Sequence, residues 1–137
     1  VRETRRVMGD YVIDADELAV GCRFEDVVVH KALFIVDIHN PAGAGQAEDK
    51  IQYCDPYDLP YRCFVPKGLE GLLVAGRCIS GTHRAHASYR VMTICMAMGE
   101  AMGIAAALSV KNDCTPRQLD VKLLQKTMTD KGIELFD

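Results

Sequence analysis

LLVAGRCIS, residues 72–80, places an apolar run directly before a glycine, an arginine and a cysteine. Every residue of LLVA is apolar, which is typical of a strand covered on both faces inside a parallel sheet. Open sheets of this kind bind ligands at the carboxyl ends of their strands, where Gly76 would permit close approach and Arg77 would add a positive charge. The stretch therefore predicts a phosphate-binding turn. A plain strand-to-loop turn with a surface arginine remains the alternative that spacing alone leaves open.

A long helix is predicted to follow this turn over residues 88–109, with Ser88 as its N-cap. The positive N-terminal end of such a helix favours an electron-rich ligand group. Gly99 and Gly103 lie one turn apart among alanines, and each glycine costs a helix interior about 1 kcal/mol. The pair therefore indicates that this helix packs closely against a sheet or a ligand.

Two further helices are predicted from capping signals. Asp14 and Glu17 form a capping box at the start of a short helix. Near the end of the sequence, Thr115-Pro116 supplies a cap and an N1 proline for a helical region that continues through residues 120–129.

Three other segments have patterns that suit strands. LFIVDIH, residues 33–39, is predicted to be a strand that leads into a Pro/Gly-rich loop. YRCFV, residues 61–65, alternates between two prolines and is predicted to be a strand joined to LLVA by a compact connection. FEDVVV, residues 24–29, suits either a short helix or a strand.

Composition narrows the class of protein. The 137 residues have the length of one domain, so residues 1–137 are taken as a single unit. The net charge of −3 does not suggest nucleic acid as a main partner. No apolar stretch approaches the ~20 residues that cross a bilayer, so no membrane segment is predicted. The six cysteines are widely spaced without a Cys-x-x-Cys, so no metal site is predicted. No signal peptide is visible, and these features together predict a cytoplasmic chain with reduced thiols.

Five runs of the sequence carry a family resemblance. They are VRETRRVMGDY (1–11), DIHNPAG (37–43), PYDLPYRCFVPKGLEGLLVAGR (56–77), GLLVAGRCISGTHRAHASYRVMTICMAMGEAMGIAAAL (71–108) and SVKNDCTPRQLDVKLLQKTMTDKGIEL (109–135). Together they resemble the C-terminal, flavin-contacting part of the FAD-dependent oxidoreductase family related to the flavoprotein subunit of heterodisulfide reductase. Three positions depart from the family pattern. Thr93 stands in place of proline, Glu100 in place of glutamine and Met102 in place of a small residue.

The resemblance implies FAD as cofactor and two groups of contacts with it. The residues at its pyrophosphate or ribityl region would be Gly76, Arg77 and Cys78. The residues of the helical turn whose N–H groups face the flavin N1–O2 edge, where they would stabilise the reduced anion, would be Arg90, Val91 and Met92. An exposed first-turn arginine remains an equal alternative for Arg90.

Three histidines are candidate catalytic residues, because an imidazole titrates near neutral pH and can donate a proton or bind substrate. His83 and His86 are predicted to lie in the loop between the turn and the long helix, where hydrogen bonding to the backbone is the alternative. His39 alternates with Asp37 along the predicted strand, so a histidine oriented by a carboxylate is a further hypothesis.

The resemblance also implies what this sequence lacks. Family members carry a Gly-x-Gly-x-x-Gly turn near their N-terminus for the ADP half of FAD, and none occurs here. The sequence also begins at Val1 rather than at a methionine. We therefore expect the C-terminal part of a longer flavoprotein, with the N-terminal FAD-binding half as its missing partner. The chain alone is expected to be inactive and not to bind FAD.

The expected architecture is an α/β or α+β fragment. A few strands would complete a larger FAD-binding sheet, beside one long Gly/Ala-rich helix and a C-terminal helix. In the full-length protein, electrons would pass between the flavin and an unidentified donor, acceptor or small-molecule substrate. The alternative is a non-catalytic interaction module that forms a homo-oligomer through the helix face of Gly99 and Gly103.

Overall fold

The computed structural model describes residues 3, 5–38 and 51–137. The elements within these ranges are α1 (Ala15–Ala19), β1 (Val27–Ala32), β2 (Tyr57–Pro60), α2 (His83–Tyr89), α3 (Met92–Lys111) and α4 (Val121–Asp130). Three single turns of 3-10 helix lie between them, at Tyr61–Cys63, Gly76–Cys78 and Pro116–Gln118. This mixture of helices with an antiparallel pair of strands confirms the α+β prediction.

The two strands pair antiparallel at the centre of the described chain. Val27 lies opposite Pro60 and Ala32 lies opposite Tyr57, with irregular register between them. All of β2 and most of β1 are buried, as the valine-rich sequence of β1 favours. The FEDVVV segment, for which helix and strand were both open, therefore contributes a strand.

The strand predicted over residues 33–39 is wrong within the described residues. The strand lies earlier in the chain, and Lys31 takes a left-handed conformation (φ 51°) near its end. Beyond β1, Val36 forms one isolated bridge with Gln52, and the Phe34 carbonyl accepts a hydrogen bond from Ser88 rather than from a neighbouring strand. His39 lies outside the described residues.

The strands predicted at 61–65 and 72–75 are also wrong. The segment at 61–65 begins with a 3-10 turn. The strand that pairs with β1 is β2, which ends just before it. The LLVA run at 72–75 lies between two glycines of positive φ, Gly71 and Gly76. Its Val74 N–H bonds the Phe64 carbonyl at 3.0 Å, but the described chain provides no partner strand for a ladder. A parallel-sheet strand therefore does not form there.

The long helix predicted over 88–109 is two helices. Val91 adopts an extended conformation (φ −69°, ψ 152°) and separates α2 from the 20-residue α3. Ser88 is not an N-cap, since it is buried inside α2, where its Oγ donates to Phe34 O at 2.7 Å and shares a hydrogen bond with Tyr57 Oη. The short connection at Arg90 and Val91 is called the junction below.

The other two helices form, but the Thr115-Pro116 signal caps the 3-10 turn Pro116–Gln118 and not α4 itself. The Asp14 side chain accepts from Asp16 N–H while Glu17 accepts from Asp14 N–H, which confirms the capping box of α1. The C-terminal helix α4 begins after Asp120, whose side chain accepts from Lys122 N–H. These local motifs are satisfied by neighbouring residues and do not depend on the rest of the fold.

A single main core lies between the strands, α3 and α4. The inner side of α3 contributes Ile94, Met98, Ala101 and Ala105 to it. The prediction that no apolar stretch approaches membrane-spanning length is wrong for α3, which among the described helices is long and apolar enough to cross a membrane by length and composition. Core helices of soluble proteins meet the same criterion, and the inner side of α3 is packed in this way.

Candidate functional site

A pocket of about 300 Å³ opens where the junction meets the 3-10 turn at Gly76–Cys78. Its lining residues are Phe34, Asp37, Arg77, Arg90, Val91 and Met92. Four of the six residues predicted to contact the cofactor therefore share one pocket. We call it the junction pocket.

The 3-10 turn contributes Arg77 to the lining of this pocket, whereas Gly76 is not a lining residue. Gly76 has φ +80°, and a Cβ placed on it would meet no atom within 4 Å. The exposed Arg77 donates from Nε to Arg90 O at 3.3 Å, which ties the turn to the junction. Cys78 is not a lining residue, and its Sγ contacts Ala75 O at 3.4 Å. Of the turn, Arg77 alone lines the pocket.

Arg90 forms a fixed wall of the junction pocket. Its side chain is only 12% exposed, and Nη2 donates to the backbone carbonyl of Asp37 at 2.5 Å. The Asp37 carboxylate lies 3.7 Å from the same nitrogen. Because Arg90 closes α2 and lies before α3, it is neither an exposed residue nor part of the first turn of α3.

The N-terminus of α3 supplies further positive potential. Val91 is the N-cap and Met92 the first helical residue, and no side chain caps the N–H groups of the first turn. The aligned peptides of a long helix place about half a positive charge at this end. Together with Arg77 and Arg90, the helix end outweighs the single carboxylate of Asp37, so the junction pocket suits an anionic or electron-rich ligand group.

The two candidate histidines that the structure describes, His83 and His86, lie outside the lining of this pocket and inside a helix rather than a loop. His83 begins α2 and its Nδ1 lies 2.8 Å from the Glu3 carboxylate. His86 is 1% exposed and packs edge-on against Tyr89, with ring centroids 5.6 Å apart. Burial lowers the pKa of His86 to about 4, with nearby guanidinium groups acting in the same direction. His86 is therefore neutral at physiological pH.

Two acidic residues of this region were missed by sequence reasoning. Glu3 contacts His83 across 80 positions, and Asp37 contacts Arg90 across 53. Asp37 had been considered only as a partner for His39. No local pattern identifies the partner of either acid, because both pairs form only when distant segments of the chain come together in the fold.

Metal and thiol chemistry find little support in the described part of the chain. No group of three or more His, Cys, Asp or Glu side chains there could hold a metal ion. All six cysteines are free, and burial raises the pKa of the Cys22 thiol to about 11 and that of Cys63 to about 12. These two thiols are therefore poor nucleophiles near neutral pH.

Comparison of the sequence with known families identifies one that it matches. A family model described as FAD dependent oxidoreductase matches residues 1–128, which include the 3-10 turn, α2, the junction and α3. The chain belongs to the FAD-dependent oxidoreductase family. No curated protein and no solved structure matches it. The family supports an oxidoreductase-type function with FAD as the cofactor.

The residues of the junction pocket fit a part of FAD. Two guanidinium groups and a helix N-terminus match the negatively charged and electron-rich portions of a flavin dinucleotide. The volume of about 300 Å³ lies at the lower end of the range for ligand pockets. Such a pocket has room for a portion of the dinucleotide, and the sequence carries no Gly-x-Gly-x-x-Gly turn for the ADP half.

Proposed function

We propose that the junction pocket is the second FAD contact of an FAD-dependent oxidoreductase whose first contact, the nucleotide-binding turn, belongs to sequence outside these 137 residues. The observation that carries this proposal is the convergence of Arg77, Arg90 and the uncapped N-terminus of α3 in one pocket. Three segments of the fold thereby direct positive charge at one place. This arrangement supports an anionic ligand better than a structural turn.

Each residue of the junction pocket has a distinct part in this proposal. Arg77 is exposed and can place its guanidinium on oxygens of the pyrophosphate or ribityl region, beside the open backbone of Gly76. Arg90 is held by Asp37 and contributes a charge that does not move. The first-turn N–H groups of α3, beginning at Met92, stabilise negative charge on the bound group. When bound, FAD supplies two-electron redox chemistry.

We also propose which branch of the FAD-dependent oxidoreductase family the chain is most similar to. The run 71–108 resembles the family related to the flavoprotein subunit of heterodisulfide reductase, which supports an electron-transfer enzyme. Its electron donor or acceptor would bind on the flavin side of the junction pocket. The resemblance indicates the class of chemistry and leaves the substrate unassigned.

The outer side of α3 supports a missing partner. This outer face, defined by Met96, Gly99, Gly103, Ala106 and Val110, is exposed and mostly apolar, with Glu100 as a charged residue beside it. Two shallow grooves of about 550 and 440 Å³ run along it and meet at Gly103. A helix that is apolar on both sides belongs in an interior. We propose that the nucleotide-binding half covers the outer face in the full-length protein, because the same helix begins at the junction pocket.

The alternative function is an interaction module in which a second copy covers the outer face. The same exposed side chains favour it, because apolar patches of this kind attract partners. Sedimentation of the full-length protein distinguishes the two. A monomer with bound FAD supports coverage by the nucleotide-binding half, whereas an FAD-free dimer supports the interaction module.

The visible spectrum of the full-length protein tests the proposed function. We expect flavin absorbance that survives gel filtration, and release of FAD on denaturation. The isolated 137-residue chain is expected to bind FAD only weakly, since it provides the junction pocket without the nucleotide-binding turn. A full-length protein that is colourless after reconstitution with FAD contradicts the proposal, as does tight binding by the isolated chain.

A further inference from the structure

A carboxylate shared by two histidines lies outside the junction pocket. Glu3 Oε2 lies 2.8 Å from His83 Nδ1 and 3.5 Å from His86 Nδ1. Arg6 forms an ion pair with Glu3, and its Nε donates to Gly81 O at 2.8 Å, just before α2. We call Glu3, Arg6, His83 and His86 the Glu3 cluster. The FAD contact proposed above does not use it.

The two histidines of the Glu3 cluster are unequal partners of the carboxylate. The distance to His83 is that of a normal hydrogen bond, whereas 3.5 Å to His86 is too long for a strong one. His86 is neutral at physiological pH because of its burial. The charge of Glu3 is therefore directed to His83 and Arg6.

The geometry at His83 specifies where its proton lies. A carboxylate only accepts hydrogen bonds, so the Nδ1 atom that faces Glu3 must carry the hydrogen. Neutral His83 then has an unprotonated Nε2, whose lone pair can accept a proton. The His83 side chain is 60% exposed, in contrast to the buried His86, so a ligand can reach this ring. Free histidine prefers the hydrogen on Nε2, and Glu3 thus imposes the opposite form.

We propose that Glu3 is a positioning residue that holds His83 in the Nδ1–H form and makes His83 Nε2 the proton acceptor for a substrate O–H or N–H group. The inference rests on the proposed oxidoreductase function, because oxidation of an alcohol or amine releases such a proton. The O–H or N–H bond breaks, its electron pair stays on the substrate, and a new N–H bond forms at Nε2. Glu3 then compensates the charge of the imidazolium.

The position of His83 suits this role. His83 begins α2 and Arg90 closes it, so seven residues of helix, about 10 Å, separate the proton acceptor from the junction pocket. The Arg6 contact with Gly81 holds the carboxylate beside the same end of α2. A substrate lying between the two ends of this helix would contact both sites.

Histidine-selective ¹⁵N NMR on the 137-residue chain tests the proposal without FAD. At pH 8 the His83 signals, assigned by their loss in His83→Gln, are expected to show the Nδ1–H form. Glu3→Ala should shift the tautomer ratio about fivefold toward Nε2–H, since it removes a charged acceptor that is partly solvated. Glu134→Ala removes an exposed glutamate elsewhere and should change nothing at His83.

Two results would overturn the proposal. One is a wild-type His83 that is mainly in the Nε2–H form. The other is a tautomer ratio that Glu3→Ala leaves unchanged, which would make Glu3 a structural anchor for the N-terminal segment. If Glu3→Ala does not fold, Glu3→Gln decides. It retains an acceptor oxygen without the charge, and a smaller excess of the Nδ1–H form is expected.

Acylation by diethylpyrocarbonate supplies a second readout, because the reagent attacks an unprotonated imidazole nitrogen. Peptide mass spectrometry should show His83 modified rapidly and the buried His86 protected. Protection of His83 would contradict the proposal, because it would mean that no ligand can reach this ring. Neither measurement depends on flavin binding, so the proposed FAD function can fail or hold independently.

Discussion

The two sides of α3 are both apolar, yet only one is covered in the described chain. On the inner side Met98 is fully buried among the strands and α4. On the outer face Met96 is 74% exposed and Val110 is 84% exposed. The difference separates the contacts that α3 makes within this chain from those that we propose it makes with the nucleotide-binding half.

The space around the glycines shows a similar contrast. Before α2, a Cβ at Gly81 would lie 2.7 Å from the Tyr89 ring, so that glycine has a packing reason within this chain. On the outer face a Cβ at Gly99 or Gly103 would meet nothing within 4 Å. The close approach that their spacing predicts is not made by the described residues. We propose that the nucleotide-binding half makes it.

The largest contrast is expected between two methionines of α3. Met98→Ala removes a fully buried side chain and should lower the free energy of unfolding by about 3 kcal/mol. Met96→Ala is the matched control on the outer face and should change it by less than about 0.5 kcal/mol. Urea unfolding of the isolated chain measures both. Similar losses for the two variants would mean that the outer face is covered as well.

The buried His86 of α2 should make the free energy of unfolding depend on pH. Its folded pKa of about 4 is depressed from a normal value near 6.5, so the unfolded chain binds the proton more readily between these values. Stability should therefore fall as the pH drops below 6.5. From pH 7 to pH 5 this group should cost about 2 kcal/mol.

His86→Phe keeps the ring against Tyr89 and removes the titrating group, so its free energy of unfolding should depend less on pH over the same interval. The difference between the two pH dependences, measured by urea unfolding, isolates His86 from the other titrating groups. Parallel curves for wild type and variant would show that His86 is solvated.

The smallest expected effect on stability is that of Gly103→Ala, and its sign depends on whether the nucleotide-binding half is present. In the isolated chain Gly103→Ala should stabilise α3 by about 0.8 kcal/mol, since alanine is the better helix former and its Cβ meets no neighbour. In the full-length protein the same substitution should destabilise, because the Cβ would enter the interface with the nucleotide-binding half. Thermal unfolding of both forms gives the sign, and stabilisation in both would contradict coverage of the outer face.

Local signals predicted the fold best. The Asp14 capping box is satisfied within a few residues, so its sequence is sufficient. The helix predicted to continue through residues 120–129 also forms, with its cap at Asp120 rather than at Thr115. The apolar run at 72–75 predicted a strand that is absent, because a strand needs a neighbour to accept its hydrogen bonds. That neighbour is not among the described residues. The break at Val91 was also missed, since the sequence is continuously helix-compatible there.

The site was predicted in part. Arg77, Arg90, Val91 and Met92 were named from the family resemblance, and the structure brings all four to the junction pocket. Their roles in binding remain predictions. The partners that orient the charged groups, such as Asp37 for Arg90, depend on contacts between distant segments that no local pattern encodes.

The most direct test of the account is the FAD affinity of the full-length protein with Arg77→Ala, measured by flavin fluorescence after removal of the cofactor. We predict about tenfold weaker binding, because a charge-assisted hydrogen bond to the cofactor is lost. Arg5→Ala, which removes an exposed arginine from the N-terminal segment, should leave the affinity unchanged. Equal affinities for wild type and Arg77→Ala would contradict the assignment of the junction pocket to FAD.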